Sequence, residues 1–60
     1  SVPERDEYLM IVDQLAEDCG IEMEAEQLHL LAERFALRRN GRSPRTARQF
    51  IQMQLAQEMA

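Results

Sequence analysis

Arg38-Arg39-Asn40-Gly41-Arg42-Ser43-Pro44-Arg45-Thr46-Ala47-Arg48 closes one helix and opens the next, and the rest of the chain can be laid out from that boundary. Asn40-Gly41 is a strong helix stop, and a proline just beyond it forbids simple continuation. Arg38 and Arg39 fall in the last turn before the stop, where positive charge complements the negative end of a helix dipole. Ser43 is an N-cap residue whose hydroxyl can accept from a free backbone N–H of the first turn. Pro44 suits the first helical position, where its missing N–H costs nothing. Backward from the stop, Leu28, Leu31, Ala32, Phe35 and Ala36 recur at spacings of three and four, with Leu30 and Leu37 at the flanks. That pattern predicts a helix over residues 24–39. Forward from Ser43, the stripe Ala47, Phe50, Ile51, Leu55 and Met59, interrupted by Gln54, predicts a helix over 44–59.

The first third of the chain gives a third helix, over residues 3–19. Pro3 stands in its first turn, and Glu4, Asp6 and Glu7 follow it, complementing the positive end of the dipole. Its stripe is Tyr8, Ile11, Val12, Leu15, Ala16 and Cys19. Gly20 can take the left-handed conformation that ends a helix, and Ile21 after it can pack back on the last turns. Ile21 and Met23 in the linker are expected to cap the core. No segment alternates with period two, so no strand is expected, and the short turns favour antiparallel neighbours. The expected fold is an all-α, compact three-helix bundle in a single domain, 1–60, with a core of Ile11, Val12, Leu15, Leu28, Leu31, Phe35, Phe50, Ile51 and Leu55.

Size limits what such a domain can do. A 60-residue chain buries only about 60% of the surface its unfolded state exposes, which leaves no room for a large enclosed substrate cavity. Apolar residues make up 45% of the sequence, a globular rather than disordered composition. There is no basic segment followed by an apolar one at the start, so no signal peptide is expected. No uncharged apolar run approaches the ~20 residues of a membrane span. The single Cys19 excludes an intramolecular disulfide and a cysteine-based zinc site. It is expected to be a small buried or half-buried apolar side chain, and a free thiol fits a reducing, cytoplasmic setting. The single His29 has no partner at metal-binding spacing and is expected to face solvent or pack on its helix. No metal site is expected. The carboxylate pairs Asp6/Glu7 and Glu17/Asp18 fall on exposed helix positions, where they serve solvation.

Charge is divided between the two halves. Residues 1–27 carry nine acids (Glu4, Asp6, Glu7, Asp13, Glu17, Asp18, Glu22, Glu24 and Glu26) against Arg5 alone. Residues 28–60 carry only Glu33 and Glu58 against Arg34, Arg38, Arg39, Arg42, Arg45 and Arg48. Every base is arginine, the planar side chain that reads carboxylate and phosphate in two-pronged fashion. The net charge of −4 argues against general nucleic-acid binding. The arginines around Ser43, however, gather at a helix N-terminus that already offers free N–H groups and partial positive charge. Two such positive features repel unless an anion or an acid lies between them. Ser43 and the start of the third helix are therefore the candidate anion site. The alternative is that the arginines pair with acids of the first helix or are simply solvated.

The run Phe35-Ala36-Leu37-Arg38-Arg39-Asn40-Gly41-Arg42-Ser43-Pro44-Arg45-Thr46-Ala47-Arg48-Gln49-Phe50-Ile51 resembles the C-terminal end of a family of uncharacterised bacterial AAA+ ATPases. Tyr8-Leu9-Met10-Ile11-Val12, Leu15-Ala16 and Gly20-Ile21 resemble the same family, so the likeness covers nearly the whole chain. Pro44 departs from the glycine more common there, a change that suits a helix start. In AAA+ proteins the corresponding region is the small helical lid after the nucleotide-binding core, and its last turn opens a helix carrying the sensor-2 arginine. The resemblance implies that Arg45 is the nucleotide-sensing residue, flanked by Arg42 and Arg48 as secondary candidates. It implies ATP and Mg2+ as cofactors of a parent protein, held by a core domain, with none bound by this segment alone. The partners it implies are that AAA+ core domain and neighbouring subunits of a ring. Leu9, Leu30, Leu37 and Met53, which fall off the main stripes, would then supply part of the surface facing the core. Two other functions stay open: a protein-interaction domain docking through its acidic first helix, and a helix-turn-helix-like nucleic-acid module.

Overall fold

A computed structural model describes residues 3–39 and 41–60. It consists of α1 (Glu4–Asp18), α2 (Ala25–Arg39) and α3 (Pro44–Met59), with no strand among the described residues. The expected all-α three-helix bundle is the fold. The helix α3 packs most extensively on α1, and α2 closes over both. No described helix is long and apolar enough to cross a membrane.

The helix ends follow from local chemistry. Pro3 sits just outside α1 rather than within its first turn. Its backbone is extended (φ −57°, ψ 147°) and its carbonyl accepts from Glu7 at 3.0 Å. At the other end Gly20 takes φ +72°. The Ile21 N–H reaches the Ala16 carbonyl at 2.9 Å and the Gly20 N–H reaches Glu17 at 3.2 Å. This double closure is the Schellman arrangement, and it turns Ile21 back onto the core. The end of α2 closes with a bond of the same span, from the Gly41 N–H to the Ala36 carbonyl at 3.0 Å. Asn40, the other half of the expected stop, lies outside the described residues. At the start of α3, Ser43 is extended and its Oγ accepts from the Thr46 N–H at 3.1 Å, with Pro44 beginning the helix. Both start signals hold. Ser43→Ala is expected to lower stability by about 1 kcal/mol and Ser43→Asp to be tolerated, as measured by denaturant unfolding. Unchanged stability in Ser43→Ala would show that this cap contributes nothing.

The core is Tyr8, Leu9, Val12 and Ala16 from α1, Leu28, Ala32, Phe35 and Ala36 from α2, and Ala47, Phe50 and Ile51 from α3. The Phe35 and Phe50 rings meet at its centre, with centroids 5.7 Å apart and tilted by 58°. Of the expected core, Val12, Leu28, Phe35, Phe50 and Ile51 are buried, whereas Ile11, Leu15, Leu31 and Leu55 are half-buried at its rim. The face of α1 is turned from the expected one because this helix packs against two neighbours. Leu9 therefore lies inside rather than on an outer face, and Met53 packs against the core as well. Gln54, which interrupts the stripe of α3, is buried. Two expectations for apolar side chains fail at helix ends. Cys19 is exposed, because it caps α1 where the chain turns away. Met59, the last helical residue, is 86% exposed, past the packed turns.

Candidate functional site

The turn between α2 and α3 gathers most of the arginines, and each does something different. Arg39, in the last turn of α2, stacks its guanidinium over the Phe35 ring at 4.9 Å from the centroid, a cation–π contact that anchors it to the core. Arg42 is committed to acids. Its Nε donates to Glu33 Oε1 at 2.9 Å and its Nη2 donates to Glu33 Oε2 at 2.7 Å. Its remaining nitrogen, Nη1, lies 3.7 Å from Glu4. Arg45, at the second position of α3, is exposed and makes no ion pair among the described residues. Together with Glu4, Arg39, Ser43, Thr46 and Gln49, Arg42 and Arg45 line an open hollow of about 490 Å³. Arg48 is separate from this group. It borders a shallow groove with Leu15, Cys19, Ile51, Gln52 and Leu55.

The structure thus brings Arg42, Ser43 and Arg45 to one hollow and leaves Arg48 out of it. The acid that balances the cluster is Glu33 of α2, with Glu4 of α1 farther off. Arg5 also approaches Glu33, at 3.6 Å. The hydrogen bonds from Arg42, more than any other influence, hold the Glu33 carboxyl below the usual carboxylate range. Away from the hollow, half-buried His29 ties α2 to α1 through a hydrogen bond, with its Nε2 2.6 Å from Asp13 Oδ1.

Beneath Glu33 lies a residue that the stripe assigned only to packing. The Tyr8 hydroxyl donates to the Ala32 carbonyl at 2.8 Å, joining α1 to α2 through a buried bond. Burial, reinforced by the nearby Glu33 carboxylate and opposed by Arg42, pushes the phenol up to about 12. A phenol raised above its unfolded value near 10 stabilises the fold fully below about pH 10. That contribution drains away as pH rises from there to about 12. Its size is on the order of 2 kcal/mol. The chain has one tyrosine and no lysine, so an ultraviolet phenolate titration reports this group alone. The expected result is a titration delayed toward pH 12 that coincides with alkaline loss of helix. A free-phenol titration in the folded protein would contradict it. Tyr8→Phe should remove that alkaline dependence.

Sequence reasoning placed Arg39 in this turn but passed over Glu33, Glu4 and the hydroxyl of Tyr8 as parts of the same corner. Glu33 did carry a signal, as one of two acids in the basic half and next to the buried Ala32.

Three helices with an arginine-lined hollow at the start of the last define a small helical module. The chain belongs to the family described as "Protein of unknown function (DUF815)", whose profile matches residues 1–58. No curated protein and no solved structure matches it.

Proposed function

We propose that this chain is the helical lid of an AAA+ ATPase, closing over ATP bound by a core domain, with Arg45 as the nucleotide-sensing side chain. The observation that carries the reading is the division of labour among the arginines. Arg39 rests on Phe35 and Arg42 on Glu33, whereas Arg45 projects from the start of α3 with no acid partner among the described residues. A guanidinium beside a helix N-terminus presents donors and positive field to the same point, an arrangement suited to a terminal phosphate. The likeness of residues 35–51 to AAA+ lids supports the same assignment.

ATP and Mg2+ belong to the core domain in this reading, and the lid contributes one charge to the developing negative charge at the transferring phosphoryl group. Of the apolar residues expected to face that core, Leu9 and Met53 are used inside the bundle. Leu30 and Leu37 remain 52% and 77% exposed, and they are seven residues apart on α2, which places them on one face. They are the apolar part of the surface turned to the core. Arg48, bordering a different groove, is not part of the phosphate contact, and Ser43 acts by starting the helix.

Amide hydrogen exchange in the full-length protein tests the reading. A non-hydrolysable ATP analogue with Mg2+ should slow exchange across residues 41–49, and Arg45→Ala should abolish the slowing. Saturating nucleotide that leaves those residues unchanged would overturn the lid assignment. Slowing by duplex DNA instead, weakening with salt, would transfer the hollow to nucleic-acid binding.

A further inference from the structure

We propose that Glu33 is a positioning residue: by gripping Arg42 in a two-pronged ion pair it fixes the α2–α3 turn, and with it the direction in which Arg45 leaves the bundle. This rests on the reading of Arg45 given above, though the geometry of the turn stands without it.

Most of the Arg42 guanidinium is engaged within the chain. Its Nε and Nη2 are both bonded to Glu33, and its Nη1 lies 3.7 Å from Glu4. The Nε–Nη2 edge of the guanidinium is taken by Glu33, so Arg42 serves the hollow first by holding. Two parallel bonds between planar groups fix rotation as well as distance, which a single charge contact does not. The grip is also backed from behind. The Glu33 side chain is 20% exposed, and the Tyr8 hydroxyl bonds the carbonyl of the preceding residue, Ala32. Glu33 therefore rests on a part of α2 that is fastened to α1.

From Arg42 to Arg45 the chain has no loose joint. Ser43 is held to Thr46 by its capping bond at 3.1 Å, and the two hydroxyls are 3.0 Å apart. The Ser43 carbonyl accepts from Ala47 at 3.0 Å. The ring of Pro44 locks its own φ. Fixing Arg42 thus fixes where α3 begins, and Arg45 is one residue past Pro44 on the first turn. The same Glu33 carboxylate is approached by Arg5 of α1, which ties this turn to the start of the first helix as well.

A pair that only added stability would loosen all three helices together when lost, and exposed pairs add little. A positioning pair loosens the turn selectively. The test is amide hydrogen exchange in the full-length protein without nucleotide, comparing Glu33→Gln with the parent. Exchange across residues 41–47 should quicken about tenfold, with little change in the middle of α3 around Phe50. Arg42→Lys, which keeps the charge and loses the planar fork, should quicken the same residues and no others. Unchanged exchange across the turn in both variants would overturn the proposal, and so would a quickening spread evenly over the three helices. A second arm reads steady-state ATP turnover. Glu33→Gln should lower kcat in the parent background and add no further loss to Arg45→Ala, because it acts through that arginine. Full additivity of the two losses would also overturn it. If Arg45→Ala leaves turnover untouched, the sensor reading fails and the exchange arm alone decides the role of Glu33.

Discussion

Phe35→Ala is expected to leave most of the chain unfolded at room temperature. Phe35 is 3% exposed and meets Phe50, which is fully buried, at the point where α2 and α3 cross the centre of the core. Removing a buried phenyl ring costs roughly 3–5 kcal/mol, combining lost transfer energy with the cavity left behind. A chain of this length has roughly 3–9 kcal/mol in total on the usual per-residue scale. The cost takes up most or all of that margin. The substitution also strips Arg39 of the ring on which it stacks, so the end of α2 loses its anchor at the same time. Circular dichroism of a thermal melt reads the outcome. A cooperative transition within a few degrees of the parent would show that the Phe35–Phe50 pair is not central.

The helices were legible because their ends are written in local chemistry. Gly20, Ser43 and Pro44 act within a few residues of themselves, so no knowledge of the partner helices is needed to place them. The core was legible where the stripes are unambiguous, at Val12, Leu28, Phe35, Phe50 and Ile51. It was less so on α1, where Leu9 and Ile11 are both apolar. Periodicity alone cannot say which way that helix is turned when two neighbours share it. Cys19 and Met59 show the other limit. A stripe continued to the end of a helix overshoots the packed length, because the terminal turns have nothing opposite them.

The site was only half legible for a related reason. That the arginines around Ser43 need an acid or an anion follows from their charge. Which arginine takes which partner depends on tertiary approach: Glu33 and Arg42 are nine residues apart, across a turn, at no helical spacing. Glu4 comes from the far end of the chain. The leading candidate, Arg45, and the secondary ones, Arg42 and Arg48, therefore separate in the structure. Arg42 is held inward by its ion pair, Arg48 borders another groove, and Arg45 lines the hollow without an ion pair among the described residues.

Arg45→Ala should separate stability from activity more sharply than any other change in the chain. As an exposed side chain without an ion pair among the described residues, it contributes little to the fold, and changes at such positions usually stay within about 0.5 kcal/mol. Its proposed role lies in the charge it brings to the transferring phosphoryl group when the lid closes. Loss of one preorganised donor at such a point lowers turnover by about a hundredfold in well-studied cases, and a tenfold loss is the smallest consistent with the role. Arg45→Lys should recover only part of it, since an ammonium lacks the planar fork. The most direct measurement is steady-state ATP hydrolysis by the full-length protein, parent against Arg45→Ala, with melting of both confirmed to agree. Turnover reduced at least about tenfold in an equally stable protein is the result expected of a nucleotide-sensing lid. Unchanged turnover and unchanged nucleotide affinity would contradict it and return Arg45 to an ordinary solvated arginine.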